Sequence, residues 1–384
     1  MSSAPTVVRS VTPEDAPALE RFNARLAAGQ ITLQVTASVA ALEKLVAPAP
    51  SFVYRRMLVA AQGEEVRAAM SLLHHRMWIG GEQRPFAWVM LPISEGMVNR
   101  AYSMAIIQLL RSALKETPWL LSLGVGSMEE SWARIAVGLG WKQTSVPFFF
   151  HPVRINRVMG ELRALRSKPL LHKGARIAST LGIGYLGSLG QSIRYRMLKG
   201  SPGVRSRMVR EFAVDADEIF ERHRAGYEIV ADRSSTALNA IYPADDARFR
   251  RLMVTGRDGT PQGWVICGVS KMENNHHFGN MTIGVLVDGF GPPERAAALL
   301  AAGVDHLIDA KVDLIVSNWS HPAWIAGARK LGFLSGPSNY LLFAPPAAAT
   351  ELKIEKGMLT PIHLTRGDSD GMVSFRRGAI PARA

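Results

Sequence analysis

Apolar and polar positions follow two periods along this chain, and they switch in an order that can be read. PTVVRSV near the N-terminus alternates as a strand. TPEDAPALERFNARLA then takes the helical period, with Thr12 as N-cap, Pro13 in the first position and Glu14 and Asp15 in the first turn. A short second helix is expected over 37–46. SFVYRRMLVAA (51–61) and EVRAAMSLLHHRMWI (65–79) read as a hairpin closed by the polar QGEE, and PFAWVMLPIS (85–94) as a third strand broken at Gly96. A helix is predicted from about Asn99 to Lys115. The buried strand WLLSLGV (119–125), the helix EESWARIAVGL stopping at Gly140, and a closing strand SVPFFFHPV (145–153) follow.

The second half repeats the plan. RMVREFAV (207–214) reads as a strand, DADEIFERHRAG and DDARFRRLMV as helices, and QGWVICGVSKM (262–272) and HFGNMTIGVLVD (277–288) as strands. The Ala/Leu-rich PPERAAALLAAGVDHLI is a long helix, VDLIVSN a strand, HPAWIAGARKL a helix ending at Gly332, and SNYLLFAP (338–345) the last strand. A shift of 192 residues places Trp132 on Trp324, Ala136 on Ala328, Leu139 on Leu331 and Gly140 on Gly332. The expected fold class is therefore α/β (mixed α+β). It has two lobes, each a mixed, mostly antiparallel sheet flanked by helices, at 1–152 and 205–346, with a linker at 153–204 and a tail at 347–384.

Composition narrows the function classes. Across 384 residues, 47% are apolar and 20% charged, enough for two cores, which excludes wholesale disorder. One cysteine, Cys267, rules out an internal disulfide framework or a Cys-based zinc site and fits a reducing compartment. The start of the chain does not read as a signal peptide, and no run is apolar enough for a spanning helix, so a cytoplasmic protein is expected. The net charge of +13 is concentrated: residues 154–210 hold 13 Lys/Arg against the single acid Glu161, while the rest holds 32 basic and 31 acidic residues.

The element order, with helices ending in Leu-Gly-aromatic before the last strands, resembles the GNAT superfamily of N-acetyltransferases in tandem. The residues that carry it are SVTPEDAPALERF, LSLGVGSMEESWARIAVGLGWK (121–142) and SNWSHPAWIAGARKLGF (317–333). The two-lobed arrangement also resembles FemAB-like transferases, and the stretch Arg366 to Gly371 resembles the tail of acetyltransferase-like proteins of polysaccharide loci. The resemblance implies an acyl-CoA co-substrate, acetyl-CoA first, with its pyrophosphate on the turn before the helix that follows the central strand. The family pattern there is Gln/Arg-x-x-Gly-x-Gly/Ala. Its match in the first lobe is Arg100, Ala101, Tyr102, Ser103, Met104, Ala105. In the second lobe Gly289 and Gly291 are followed by two prolines, which lack N–H donors, and by Glu294, whose charge repels phosphate. The first lobe is thus the better candidate donor site, although Ser103 and Ala105 equally suit close helix packing.

The tyrosine that the family uses as general acid falls on Ala136 and Ala328, so neither lobe carries it. Candidate bases are Glu95, at the end of the first central strand, and the histidines His75 and His277 of the two lobes. Glu95 reads equally as an exposed loop acid, and the histidines as ordinary strand-end residues. Tyr102 is a candidate substrate contact. Asp368 and Asp370 form either a turn or a site for a cationic substrate or a metal. No His/Asp/Glu cluster has metal-ligand spacing.

Basic flanks around the uncharged stretch 177–193 suit a linker packed in the groove between the lobes or an in-plane contact with an anionic membrane. Sparse aromatics argue against nucleic acid. The expected activity is acyl transfer to an amine of a small molecule, an aminosugar or a polysaccharide precursor. The alternatives are a FemAB-like aminoacyl transferase and a non-catalytic tandem fold acting as a binding module.

Overall fold

A computed structural model describes residues 5–46, 51–161, 183–200, 203–275, 277–338, 340–355 and 358–369. The chain divides into two compact units, residues 1–144 with 341–358, and residues 145–340 with 359–384.

In the first unit, β1 (Thr6–Ser10) leads through a turn at Pro13–Asp15 to α1 (Ala16–Ala28). Asp15 closes a capping box with Thr12 and pairs with Arg9 at 2.6 Å, which fixes the chain's entry into the helix. Ala16, Leu19, Phe22 and Leu26 share one buried face of α1, as their spacing demands. α2 (Val39–Val46) precedes the long antiparallel strands β2 (Tyr54–Gln62), β3 (Glu65–Ile79) and β4 (Glu82–Ser94). Then come α3 (Ser103–Glu116), β5 (Leu120–Val125), α4 (Ser131–Gly138) and β6 (Lys142–Ser145). The sheet path is β1-β2-β3-β4-β5, then β15 (Leu341–Ala344), then β6.

The second unit begins with β7 (Phe148–Pro152), α5 (Ile155–Glu161) and α6 (Ile183–Lys199). Its remaining elements in chain order are β8 (Val204–Val209), α7 (Val214–His223), β9 (Ile229–Ala231), α8 (Ser235–Ile241), β10 (Phe249–Gly256), β11 (Pro261–Lys271), β12 (Thr282–Phe290), α9 (Ala296–Asp309), β13 (Leu314–Asn318), α10 (Pro322–Lys330), β14 (Leu334–Gly336) and β16 (Ile362–His363). The main sheet runs β14-β7-β13-β12-β11-β10-β8, and β16 pairs in parallel with β9. α11 (Pro346–Glu351) belongs to the first unit.

Two closing strands are therefore exchanged between the halves of the chain. Residues 148–152, read from the sequence as the end of the first lobe, pair with β13 in the second sheet (Phe148 opposite Asn318, Pro152 opposite Leu314). Residues 341–344, read as the end of the second lobe, pair with β5 in the first (Leu341 opposite Val125, Phe343 opposite Ser122). The 192-residue repeat is matched in structure: α4 and α10 both end in a left-handed glycine, Gly140 at φ 80° and Gly332 at φ 81°.

The stretch DDARFRRLMV, expected to be helical, holds β10 from Phe249. This strand is paired on both edges, and buried Arg251 satisfies its guanidinium on the carbonyls of Tyr242 and Phe249 at 3.0 and 3.2 Å. Its arginines had imitated the polar face of an amphipathic helix. α8 carries no strong periodic signal, and the sequence did not announce it. β12 begins at Thr282, not at 277.

Candidate active site

In each unit the central strand and the parallel strand beside it separate part-way. β4 pairs with β5 only over Ala87–Val89. Opposite Met70 on β3, Leu91 and Pro92 form a bulge, with Leu91 at φ 48°. A bulged residue falls out of the ladder, and its backbone groups become available to something else. β5 meanwhile turns to β15. The second unit does the same: β12 pairs with β13 over Ile283–Leu286, and a register shift opposite Ile266 and Cys267 leaves Val287 as the extra residue.

Beyond the first separation the chain folds tightly onto the start of α3. Ser94 Oγ accepts from the Gly96 N–H, Asn99 Oδ1 accepts from the Ala101 N–H at 3.1 Å, and Ser103 Oγ donates to the Arg100 carbonyl at 2.8 Å. Gly96 is required by space, since a Cβ there would sit 2.7 Å from Ser103 Cα. Arg100, Ala101 and Ser103 are exposed at the N-terminal end of α3, and Ala105 is buried beneath them. An exposed helix N-terminus with an arginine and small side chains favours a phosphate group.

Glu95 is buried rather than an exposed loop acid. Its Oε2 accepts from Arg25 Nε at 3.1 Å and Arg67 Nη1 at 2.8 Å. Arg67 in turn lies 4.0 Å over the Tyr102 ring, so Glu95 anchors the turn that presents Arg100–Ser103. His75 is 3% exposed, stacked 5.6 Å from Phe86, and its Nδ1 accepts from the Arg76 N–H. His277 lies on an exposed turn closed by Asn275 and Gly279, outside β12. Glu95 and His75 are thus both buried in the first unit, and His277 is exposed in the second. Among the described residues no cluster of His, Cys, Asp and Glu is arranged to hold a metal ion.

In the second unit the separation is filled by the chain itself. The Gly367 N–H donates to the Val287 carbonyl at 2.8 Å, and His363 Nε2 donates to the Gly289 carbonyl at 3.0 Å, so residues 363–367 lie along β12. On the other side the Leu364 N–H donates to Ser320 Oγ at 2.7 Å, Trp319 bridges to Thr365, and Arg366 Nε donates to Asn318 Oδ1 at 2.7 Å. Arg233, buried, joins Asp288 at 3.3 Å and Asp368 at 3.0 Å, and the Tyr242 hydroxyl donates to Asp288. Burial pushes the Asp368 carboxyl up to about 6; Arg233 opposes this and Asp288 adds to it. Asp368 is thus part of the packing, and Asp370 lies outside the described residues.

Gly289 and Gly291 make room for the protein's own groups. A Cβ on Gly289 would meet the Trp324 ring at 2.8 Å, and one on Gly291 the Gln262 carbonyl at 2.7 Å. Trp132 and Trp324 are buried, with their indole N–H groups donating to Ser122 Oγ and the Tyr227 hydroxyl. A surface cavity of about 440 Å³ beside the start of α9 is lined by Arg222, His223, Glu294 and Arg295, among others.

Three solved structures share this architecture. A conserved protein of Enterococcus faecalis V583, described as a probable N-acyltransferase, superposes with a TM-score of 0.54 at 11% identity, over 91% of this chain and 75% of its own. The N-myristoyltransferase of Saccharomyces cerevisiae, solved with myristoyl-CoA bound, gives 0.52 at 11% over 89% and 84%. A GCN5-related N-acetyltransferase from Kribbella flavida gives 0.52 at 15% over 91% and 74%. This chain has the GNAT-type fold. No protein-family profile matches the sequence, and no curated protein does. The separated central strands of a GNAT-type fold are thus the feature that sequence reasoning missed: a bulge at Leu91 or Val287 leaves no mark in an apolar run.

His151, on β7, lies 5.0 Å from Phe333 and 5.6 Å from Tyr195, and burial pushes its pKa down to about 4. The unfolded chain therefore takes up a proton at higher pH than the folded one. This contribution is complete above about pH 6.5 and is lost as pH falls toward 4. Urea unfolding of His151→Phe is expected to lose about 2 kcal/mol less than the parent between pH 7 and pH 5. Parallel pH profiles for the two proteins would show that His151 is not the source.

Proposed function

We propose that this protein is an acyl-CoA-dependent N-acyltransferase whose first unit holds the donor. The observation that supports the placement is the filled separation between β12 and β13: in the second unit, residues 363–367 take the space in which an extended thioester arm would lie. In the first unit the pantetheine would follow the edge of β4 past Leu91, with the pyrophosphate at Arg100, Ala101, Ser103 and Ala105. The Leu91 N–H, at the bulge, would polarise the thioester carbonyl. The neutral amine attacks that carbon, the C–S bond breaks and the CoA thiolate leaves. With Glu95 held by two guanidinium groups and His75 locked in an aromatic stack, water takes the amine's proton. Glu95 is then a positioning residue for the turn that carries Tyr102. Acetyl is the proposed acyl group, and the proposed acceptor is the amine of an aminosugar or another small molecule.

Calorimetric titration with acetyl-CoA and longer acyl-CoAs tests this. Ser103→Glu places a carboxylate at the phosphate position and is expected to weaken donor binding roughly 10–100-fold. Unchanged affinity would move the donor elsewhere, the cavity lined by Arg222 and Arg295 being the next place to examine. No binding of any acyl-CoA by the parent protein would leave the FemAB-like and the non-catalytic readings.

A further inference from the structure

One face of α6 has no role in either the fold or the proposed chemistry. The helix docks through Tyr195, 4% exposed, whose hydroxyl donates to Asp305 Oδ1 at 2.9 Å, with the Ala301 carbonyl 3.2 Å away. One heptad earlier, Ser188 Oγ accepts from the Ile155 N–H at 2.9 Å, and Lys199 pairs with Asp305 at 2.6 Å. These residues share one side of the helix. Leu189, Ile193 and Met197, four residues apart, form a stripe on the opposite side. They are 50%, 50% and 77% exposed.

Arginines flank that stripe. Arg194 and Arg196 lie between its members in sequence, both exposed, and Arg157 is exposed on α5, which packs against α6. The acids that could offset them are engaged. Asp305 is held by Tyr195 and Lys199, and Glu161 accepts from the Asn280 N–H at 3.1 Å. No helix among the described residues is long and apolar enough to cross a membrane. An exposed apolar stripe flanked by arginines matches the boundary between acyl chains and anionic headgroups.

We infer that the outward face of α6 is a docking surface for an anionic lipid bilayer, with Leu189, Ile193 and Met197 entering the headgroup layer and Arg196 and Arg157 facing its charge. The helix lies in the plane of the interface and holds the protein at the bilayer surface. This does not depend on which unit binds the donor.

The test is flotation of the full-length chain with phosphatidylcholine vesicles, with and without about one-third phosphatidylserine. The protein is expected to float with the anionic vesicles at low salt, to be released at high salt, and to stay down with phosphatidylcholine alone. Ile193→Glu with Met197→Glu is expected to cut partitioning about tenfold or more at an unchanged urea midpoint. Met197→Cys carrying an environment-sensitive dye gives a second readout, because the native Cys267 is buried. Its emission should shift to the blue only with anionic vesicles. The inference is overturned if the parent does not float, if it floats equally with neutral lipid, if the double variant floats as well as the parent, or if the dye does not shift. It is also overturned if the parent is a dimer that the double variant converts to monomer, since a second copy then covers the face.

Discussion

Arg233→Met is expected to cost about 3–5 kcal/mol at pH 7, because it leaves two buried carboxylates without their shared cation. Asp288 and Asp368 both bond Arg233, whose guanidinium pKa they raise against the effect of burial. Without it they repel each other, and the Asp368 carboxyl, already up to about 6, rises further. A raised folded-state pKa contributes stability below the unfolded value, near 4, that is lost as pH rises through the folded value. The deficit should therefore be smaller at pH 5 than at pH 7, and Asp368→Asn in the same chain should recover part of it. Urea unfolding at the two pH values measures this. A loss under about 1 kcal/mol, or one that grows toward acid, would mean that the pair is not held as described.

The second large effect concerns a glycine. A Cβ on Gly367 would fall 1.9 Å from the Tyr242 hydroxyl oxygen and 3.0 Å from Asp288 Cβ. Gly367→Ala is expected to destabilise by about 3 kcal/mol, the upper end for overpacking. Tyr242→Phe removes the clashing atom, so the double variant should lose less than the two single losses combined. Limited proteolysis gives the structural readout. In Gly367→Ala the segment after Leu359 should be cut sooner, while acyl-CoA affinity stays within about threefold of the parent. Additive losses with unchanged proteolysis would sink the account of how the segment is seated.

The parts of this molecule that were legible in the sequence are those set by local spacing. Leu19, Phe22 and Leu26 announce α1, Gly140 and Gly332 announce two helix ends, and the long β2–β4 runs announce a mixed sheet. Partner choice was not legible. SVPFFFHPV reads as a strand at any edge that offers hydrogen bonds, and only the assembled sheet assigns it to β13. The candidate site divided in the same way. Arg100–Ala105 sits at the start of a helix because its small residues and cap permit it, which spacing reveals. Glu95 is fixed by Arg25 and Arg67, distant in sequence, and Asp368 by Arg233 and Tyr340, so neither environment could be read from a neighbouring motif. The tail looked like a turn because Thr365 and Asp368 do close one. What it could not disclose is that the turn is seated between two strands.

The exchanged strands bear on synthesis. β5 gains its outer neighbour only when Leu341–Ala344 has left the ribosome, yet β5 itself ends at Val125. At typical elongation rates that interval lasts roughly 10–40 s, during which an apolar strand edge stands open to pairing with other chains. Slow, non-local closure of this kind exposes the nascent chain to aggregation, a step at which destabilising substitutions in either half are expected to lower the yield of protein.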